Sequence, residues 1–149
     1  MIVKAIGEEA GFSTDKAHGV ITFAIDSIAP ITCDNPYNSG PATNGHFIGA
    51  HLRLSTAAAG ADLSGAPSYI NAADFSFVGS DGITVPGAAI ASVATYGCLK
   101  DAEQFPSSPF APGSDYVGTF VLDLPEEHGA LIYSPAGGLS NGSGWEWDF

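Results

Sequence analysis

Four histidines, two cysteines and sixteen acids are the side chains with which this chain could do chemistry. His46 and His51 fall in or beside one alternating run, five positions apart. In a regular strand an odd spacing sends two side chains to opposite faces, so this pair is not placed to chelate a metal. His18 and His128 have turn-forming neighbours, and nothing near them in the sequence specifies a third ligand. No metal and no cofactor is expected.

A serine nucleophile needs a base held by an acid, and a sharp strand-to-helix elbow to present it. Gly138-Leu139-Ser140-Asn141-Gly142 matches the G-x-S-x-G spacing, but in a Gly/Ser-rich stretch without that context. It reads as a hairpin loop. Paired carboxylates could cleave a glycosidic bond. The acids in an aromatic-lined segment are Glu146 and Asp148, and alternation puts them opposite Trp145 and Trp147, which makes the tryptophans core residues and not a sugar platform. "DNPYNSG" (34–40) and "GSDGI" (79–83) supply hard oxygen ligands without the EF-hand spacing, and ordinary turn chemistry accounts for both. Asn141-Gly142-Ser143 is a formal glycosylation sequon, of consequence only in a eukaryotic secretory route. No catalytic residue is assigned.

Cys33 and Cys98 lie far apart, with no CxxC motif and no histidine at a ligand spacing. In an exported protein they would form a disulfide, and closing so long a loop would stabilise the fold by roughly 4 kcal/mol. The alternative is two buried free thiols.

The elements that must position these groups are strands. Nineteen glycines and ten prolines punctuate a chain whose bulky residues are mainly Phe, Tyr, Val and Ile, against four basic residues and one methionine. That composition favours short strands joined by tight turns. "GVITFAIDSIAP" (19–30) alternates Ile21, Phe23, Ile25 and Ser27 against Val20, Thr22, Ala24 and Asp26. "GHFIGAHLRLSTA" (45–57) sets Ile48, Ala50, Leu52 and Leu54 toward a core and His51 and Arg53 outward. "PFAPGSDYVGTFVLDLP" (109–125) reads as a central strand. Phe75 and Phe77, then Ile83 to Val85, then "ALIYSP" (130–135) add short strands. "GWEWDF" (144–149) reads as a half-buried edge or terminal strand. With an N-terminal strand near Ile2 to Ile6, seven or eight strands result. Residues 87–105 offer at most one or two helical turns, around 99–104. Segments 34–45 and 57–72 are long loops. The expected fold is an all-β sandwich, and the length favours one domain over residues 1–149.

A net charge of −12 disfavours nucleic acid and anionic lipid as partners. No window is apolar enough to span a membrane, and the N-terminus lacks the pattern of a signal peptide.

The order of "IGEEAGF", "GVITFAIDSIAP", "GHFIGAHLRLSTA", "NAADFSFVGSDGITV", "PFAPGSDYVGTFVLDLPEE", "ALIYSP" and "GWEWDF" resembles the immunoglobulin-like domain of secreted proteins and lipoproteins from actinobacteria and other Gram-positive bacteria. That family is of unknown function and is related to the mycobacterial immunoprotective extracellular protein. The likeness covers about residues 5–149. It implies an immunoglobulin-like antiparallel sandwich, exported and often lipid-anchored through a cysteine outside this sequence. It transfers no catalytic residue, and loops 34–45 and 57–72 depart from the shorter members.

The expected function is therefore a non-enzymatic extracellular or cell-surface module that binds a protein or another ligand, through the long loops or an exposed strand edge. A hydrolase using Ser140 or a carboxylate pair, joined in a pocket to His128 or His46, is the alternative. A structural spacer is the third.

Overall fold

The alternating runs become two facing sheets. The computed structural model describes residues 1–13, 19–38, 40–58, 62–63, 66–135 and 144–149. One sheet is built from β2 (Ala10–Ser13), β3 (Gly19–Pro30), β4 (His46–Thr56) and β7 (Asp115–Leu124), in the order β2-β3-β4-β7. The other takes β1 (Ile2–Val3), β5 (Phe75–Val78), β6 (Thr84–Val85), β8 (Ala130–Tyr133) and β9 (Trp145–Asp148), in the order β1-β9-β8-β5-β6. The expected all-β, immunoglobulin-like sandwich is the architecture found. Its pairs are antiparallel except β1 with β9.

Period-two alternation fills the core from both sheets. Ile21, Phe23 and Ile25 of β3, with Ile48, Leu52 and Leu54 of β4, are almost wholly buried. They meet Phe75, Phe77, Leu131, Tyr133, Trp145 and Trp147 of the opposite sheet. Phe23 stands edge-on to Tyr133 at 5.7 Å and to Trp145 at 5.1 Å, and Phe75 meets Phe120 at 5.4 Å. Such pairs add to the area burial that drives the two sheets together. Trp145 and Trp147 belong to this core, while Glu146 is half-buried and Asp148 exposed.

Three readings need correction. The register of β3 against β4 shifts between Ile25 and Ser27, so Ser27 pairs with His51 on the outer face instead of facing the core. Of the two readings of residues 144–149, the edge strand is overturned because β1 lies parallel beside β9, and the half-buried terminal strand stands. The strand at β7 is not central but ends its sheet. A second small core misled that reading: Val121 packs on the outer face against Cys98 and Leu99, with Ile31, Cys33 and Phe47 around them. Strand β7 is thus apolar on both faces, as an internal strand would be.

Helical turns also come earlier than expected. Helix α1 (Gly87–Ile90) and helix α2 (Val93–Tyr96) precede a 3₁₀ turn at Asp101–Glu103. Ser92 caps α2 by accepting from the Thr95 amide while the Thr95 hydroxyl accepts from Ser92 N–H, a reciprocal box that closes a four-residue helix.

Candidate functional site

Strand β7 at the sheet edge is where the long loops converge. The chain after α2 crosses it: Gln104 bridges Thr119 in parallel, and the Phe105 N–H donates to the Thr119 carbonyl at 3.2 Å. Gly118 permits the crossing, since a Cβ there would stand 2.5 Å from the Phe105 backbone. The edge of β7 is therefore covered at its middle. What opens beside it is a cleft.

The cleft has a volume of about 460 Å³ and runs between the end of the 57–72 loop, helix α2, the 101–107 segment and β7. Tyr69, Asn71, Tyr96, Asp101, Gln104 and Val117 are among the residues that line it. A hydrogen-bonded frame fixes its walls. Asn71 Oδ1 accepts from the Tyr96 hydroxyl at 2.7 Å and from the Ala73 amide at 3.0 Å, while the Asn71 N–H donates to Asp74 Oδ2 at 2.9 Å. Gln104 Nε2 donates to the carbonyls of Tyr96 and Leu99 at 2.9 and 2.8 Å. Burial pushes the Asp74 carboxyl above its usual range, against the pull of the Asn71 amide. Burial, then the Asp74 charge, raises the Tyr96 phenol, and the bond to Asn71 works the other way. Tyr69 and Tyr96 each remain 49% exposed at the mouth, and Val117 60%.

Cys33 and Cys98, 65 positions apart, are joined as a disulfide. The bridge backs the cleft through Val121, which lines the cleft and packs with Cys98, and the Asp34 and Asn35 amides both donate to the Cys98 carbonyl at 3.1 Å. Loop 34–45 is also fixed at its far end. Asp123, 1% exposed, accepts from the Thr43 amide at 2.6 Å and the Asn44 amide at 2.8 Å.

Among the described residues, the histidines singled out in the sequence do not gather. His46 Nδ1 lies 3.3 Å from Glu127 at the surface, and His51 Nδ1 lies 3.1 Å from the Thr119 hydroxyl on the outer sheet face. His128 is exposed beside Glu126 and Asp148 around a shallow depression. His18, Ser140 and Asn141 lie outside the described residues. Asp81 makes an ordinary turn contact, accepting from the Ile83 amide at 2.8 Å. Among the described residues Asp34 and Glu103 form a carboxyl pair. Hydrogen bonding to Asp34 raises the Glu103 carboxyl, partial desolvation and the Asp34 charge add to this, and Lys100 opposes it. The pair is exposed and does not line the cleft.

On the outer sheet face, Arg53 is held by Asp26 at 3.0 Å and Glu9 at 3.7 Å, beside a Ser55 hydroxyl that donates to Asp115 at 2.6 Å. These groups satisfy one another around a smaller depression of about 350 Å³. Sequence reasoning missed the cleft residues Tyr96, Asp101 and Gln104. Their signal was weak: an aromatic ring in an Ala/Gly-rich segment where no periodicity calls for a core residue.

No family model matches the sequence, and no curated protein matches it significantly. Solved structures do. The chain superposes on MPT63, a secreted protein of Mycobacterium tuberculosis, with a TM-score of 0.61 and 13% identity, over 99% of this chain and 97% of that one. It also superposes on a protein of Bacillus subtilis provisionally assigned as a lipoprotein, with a TM-score of 0.51 and 12% identity, over 87% of this chain and 36% of that one. At these identities the likeness shows the fold.

Proposed function

We propose that the chain is a single extracellular or cell-surface domain that acts by binding and not by catalysis, and that the cleft beside β7 is its binding site. The observation that carries this reading is the cleft itself. It is a half-open cavity of about 460 Å³, within the size range of small-ligand sites, with exposed tyrosine rings at its mouth and a wall held by Asn71 and Gln104. A frame fixed before the ligand arrives lowers the ordering cost of binding.

Export is supported by the bridged cysteines, since structural disulfides persist in oxidising compartments. It is supported also by the fold shared with a secreted mycobacterial protein. An anchor attached outside the residues of this sequence agrees with the Bacillus lipoprotein likeness. The acidic surface serves solubility and disfavours nucleic acid and anionic lipid as partners.

The binding reading is favoured over the spacer because Val93, Tyr96, Tyr69 and Val117 are all exposed, three of them at the cleft. It is favoured over a hydrolase because the Asp34–Glu103 pair and His46 stand apart from the cleft lining. A ligand-observed NMR screen of neutral, cationic and anionic fragments tests the reading. The wild type is expected to return hits that Tyr69→Ala/Tyr96→Ala abolishes. Hits that survive the double variant, or no hits at all, would overturn it.

A further inference from the structure

We infer that the ligand of this cleft is a small organic cation, an ammonium group carried on a compact apolar body. The inference deepens the binding reading above and rests on it.

Charge is the first ground. Among the described residues that line the cleft there is no lysine, arginine or histidine, and Asp101 supplies a carboxylate. The adjacent cation, Lys100, is not among the lining residues, and its charge acts on Glu103. With a chain charge of −12, the field in the cleft attracts cations and repels carboxylate and phosphate ligands.

The second ground is the aromatic lining. An ammonium group is attracted to the electron-rich face of a phenol ring, and more strongly when partly desolvated. Tyr69 and Tyr96 both line the cleft and are both half-exposed. Tyr96 is held in place through its hydroxyl by Asn71, so its ring position is set before binding. Ile70, Pro106 and Val117 provide apolar wall for the body of the ligand. A neutral apolar molecule would use the wall without the carboxylate. An anion would meet no counter-charge from any of these residues.

The third ground is size. A volume of about 460 Å³ suits a small molecule entering whole, so the free cation is the occupant and not a side chain borne on a folded partner.

The test compares choline with its uncharged isostere 3,3-dimethylbutan-1-ol, titrated into the ¹⁵N-labelled full chain and read from amide shifts of the cleft residues. Choline is expected to move the amides of residues 69–71, 96 and 104 and to bind about threefold or more tightly than the isostere. Tyr69→Ala and Asp101→Asn should each weaken choline about threefold or more, while Tyr69→Phe, which keeps the ring, should retain its affinity. Equal binding of choline and isostere in the cleft would overturn the cation and leave the binding cleft standing. Absence of cleft shifts with choline, while other fragments bind there, would do the same. A blocked Gly-Lys-Gly peptide forms the last arm. Tighter binding of the peptide than of choline would overturn the free small cation in favour of a partner's lysine.

Discussion

The Tyr96 hydroxyl donates to Asn71 Oδ1 across 2.7 Å, and this contact ties helix α2 to the end of the 57–72 loop. The same Asn71 oxygen caps the 3₁₀ turn at Ala72–Asp74. Asn71→Ala should therefore cost about 1–2 kcal/mol, the sum expected for a lost cap and a lost hydrogen bond. Urea denaturation measures it. A change near zero would mean that the frame does not hold the wall in solution.

The disulfide stands behind the same wall. Cys33→Ser/Cys98→Ser should lose roughly 4 kcal/mol of stability, because the bridge closes a long loop of the unfolded chain. Thiol labelling is the companion measurement: the wild type should react only after reduction, and free thiols in the unfolded, unreduced protein would contradict the bridge and weaken the case for export.

Asp74 gives a pH dependence whose sign is fixed. Its folded pKa is raised by burial, so the folded state holds the proton to higher pH than the unfolded state does. Its contribution to stability is full below the unfolded carboxyl pKa and is lost as pH rises through the raised folded value. Asp74→Asn cannot ionise and keeps an oxygen for the Asn71 amide. Thermal melts between about pH 3 and 7 should show the variant gaining on the wild type as pH rises. A variant that loses ground over that range would mean that the carboxylate is the stabilised form.

Asp123 fixes loop 34–45 from inside the sheet. Asp123→Ala removes the acceptor of two backbone amides and is expected to cost about 3 kcal/mol, since hydrogen bonds to a charged group are the stronger kind. Amide exchange at Thr43 and Asn44 should accelerate in the variant. Unchanged protection there would contradict the assigned partners.

Gly118 tests how the cleft is closed at β7. A methyl group there meets backbone, which cannot swing aside, so Gly118→Ala should destabilise by about 1–3 kcal/mol. The amides of Gln104 and Phe105 should shift with it. A neutral substitution would show that the 101–107 segment does not lie against the strand.

Much of this fold was legible because a strand with one buried face writes its orientation every second residue. Phe75, Phe77, Trp145 and Trp147 could be assigned to the core from alternation alone, and they are there. The bulge after Ile25 was not legible, since one extra residue leaves the local composition unchanged while moving Ser27 to the other face. The place of β7 at the sheet end was hidden because Val121 is buried by Cys98 and Leu99 on its outer side. Nothing in the sequence marked the partners of Asp123; only the fold brings Thr43 and Asn44 to it. The cleft was legible in part. Loop 57–72 was marked as a candidate surface, and Tyr69 lies in it, but Tyr96, Asp101 and Gln104 come from a segment that only tertiary contacts carry to the same place.

The most direct test of the binding account is a map of amide shift changes on the labelled chain with the strongest hit of the fragment screen. The account predicts changes concentrated at residues 69–72, 95–96, 101–107 and 117–121, the walls of the cleft. Changes centred elsewhere, such as on the exposed Tyr37 or around Arg53, would contradict it.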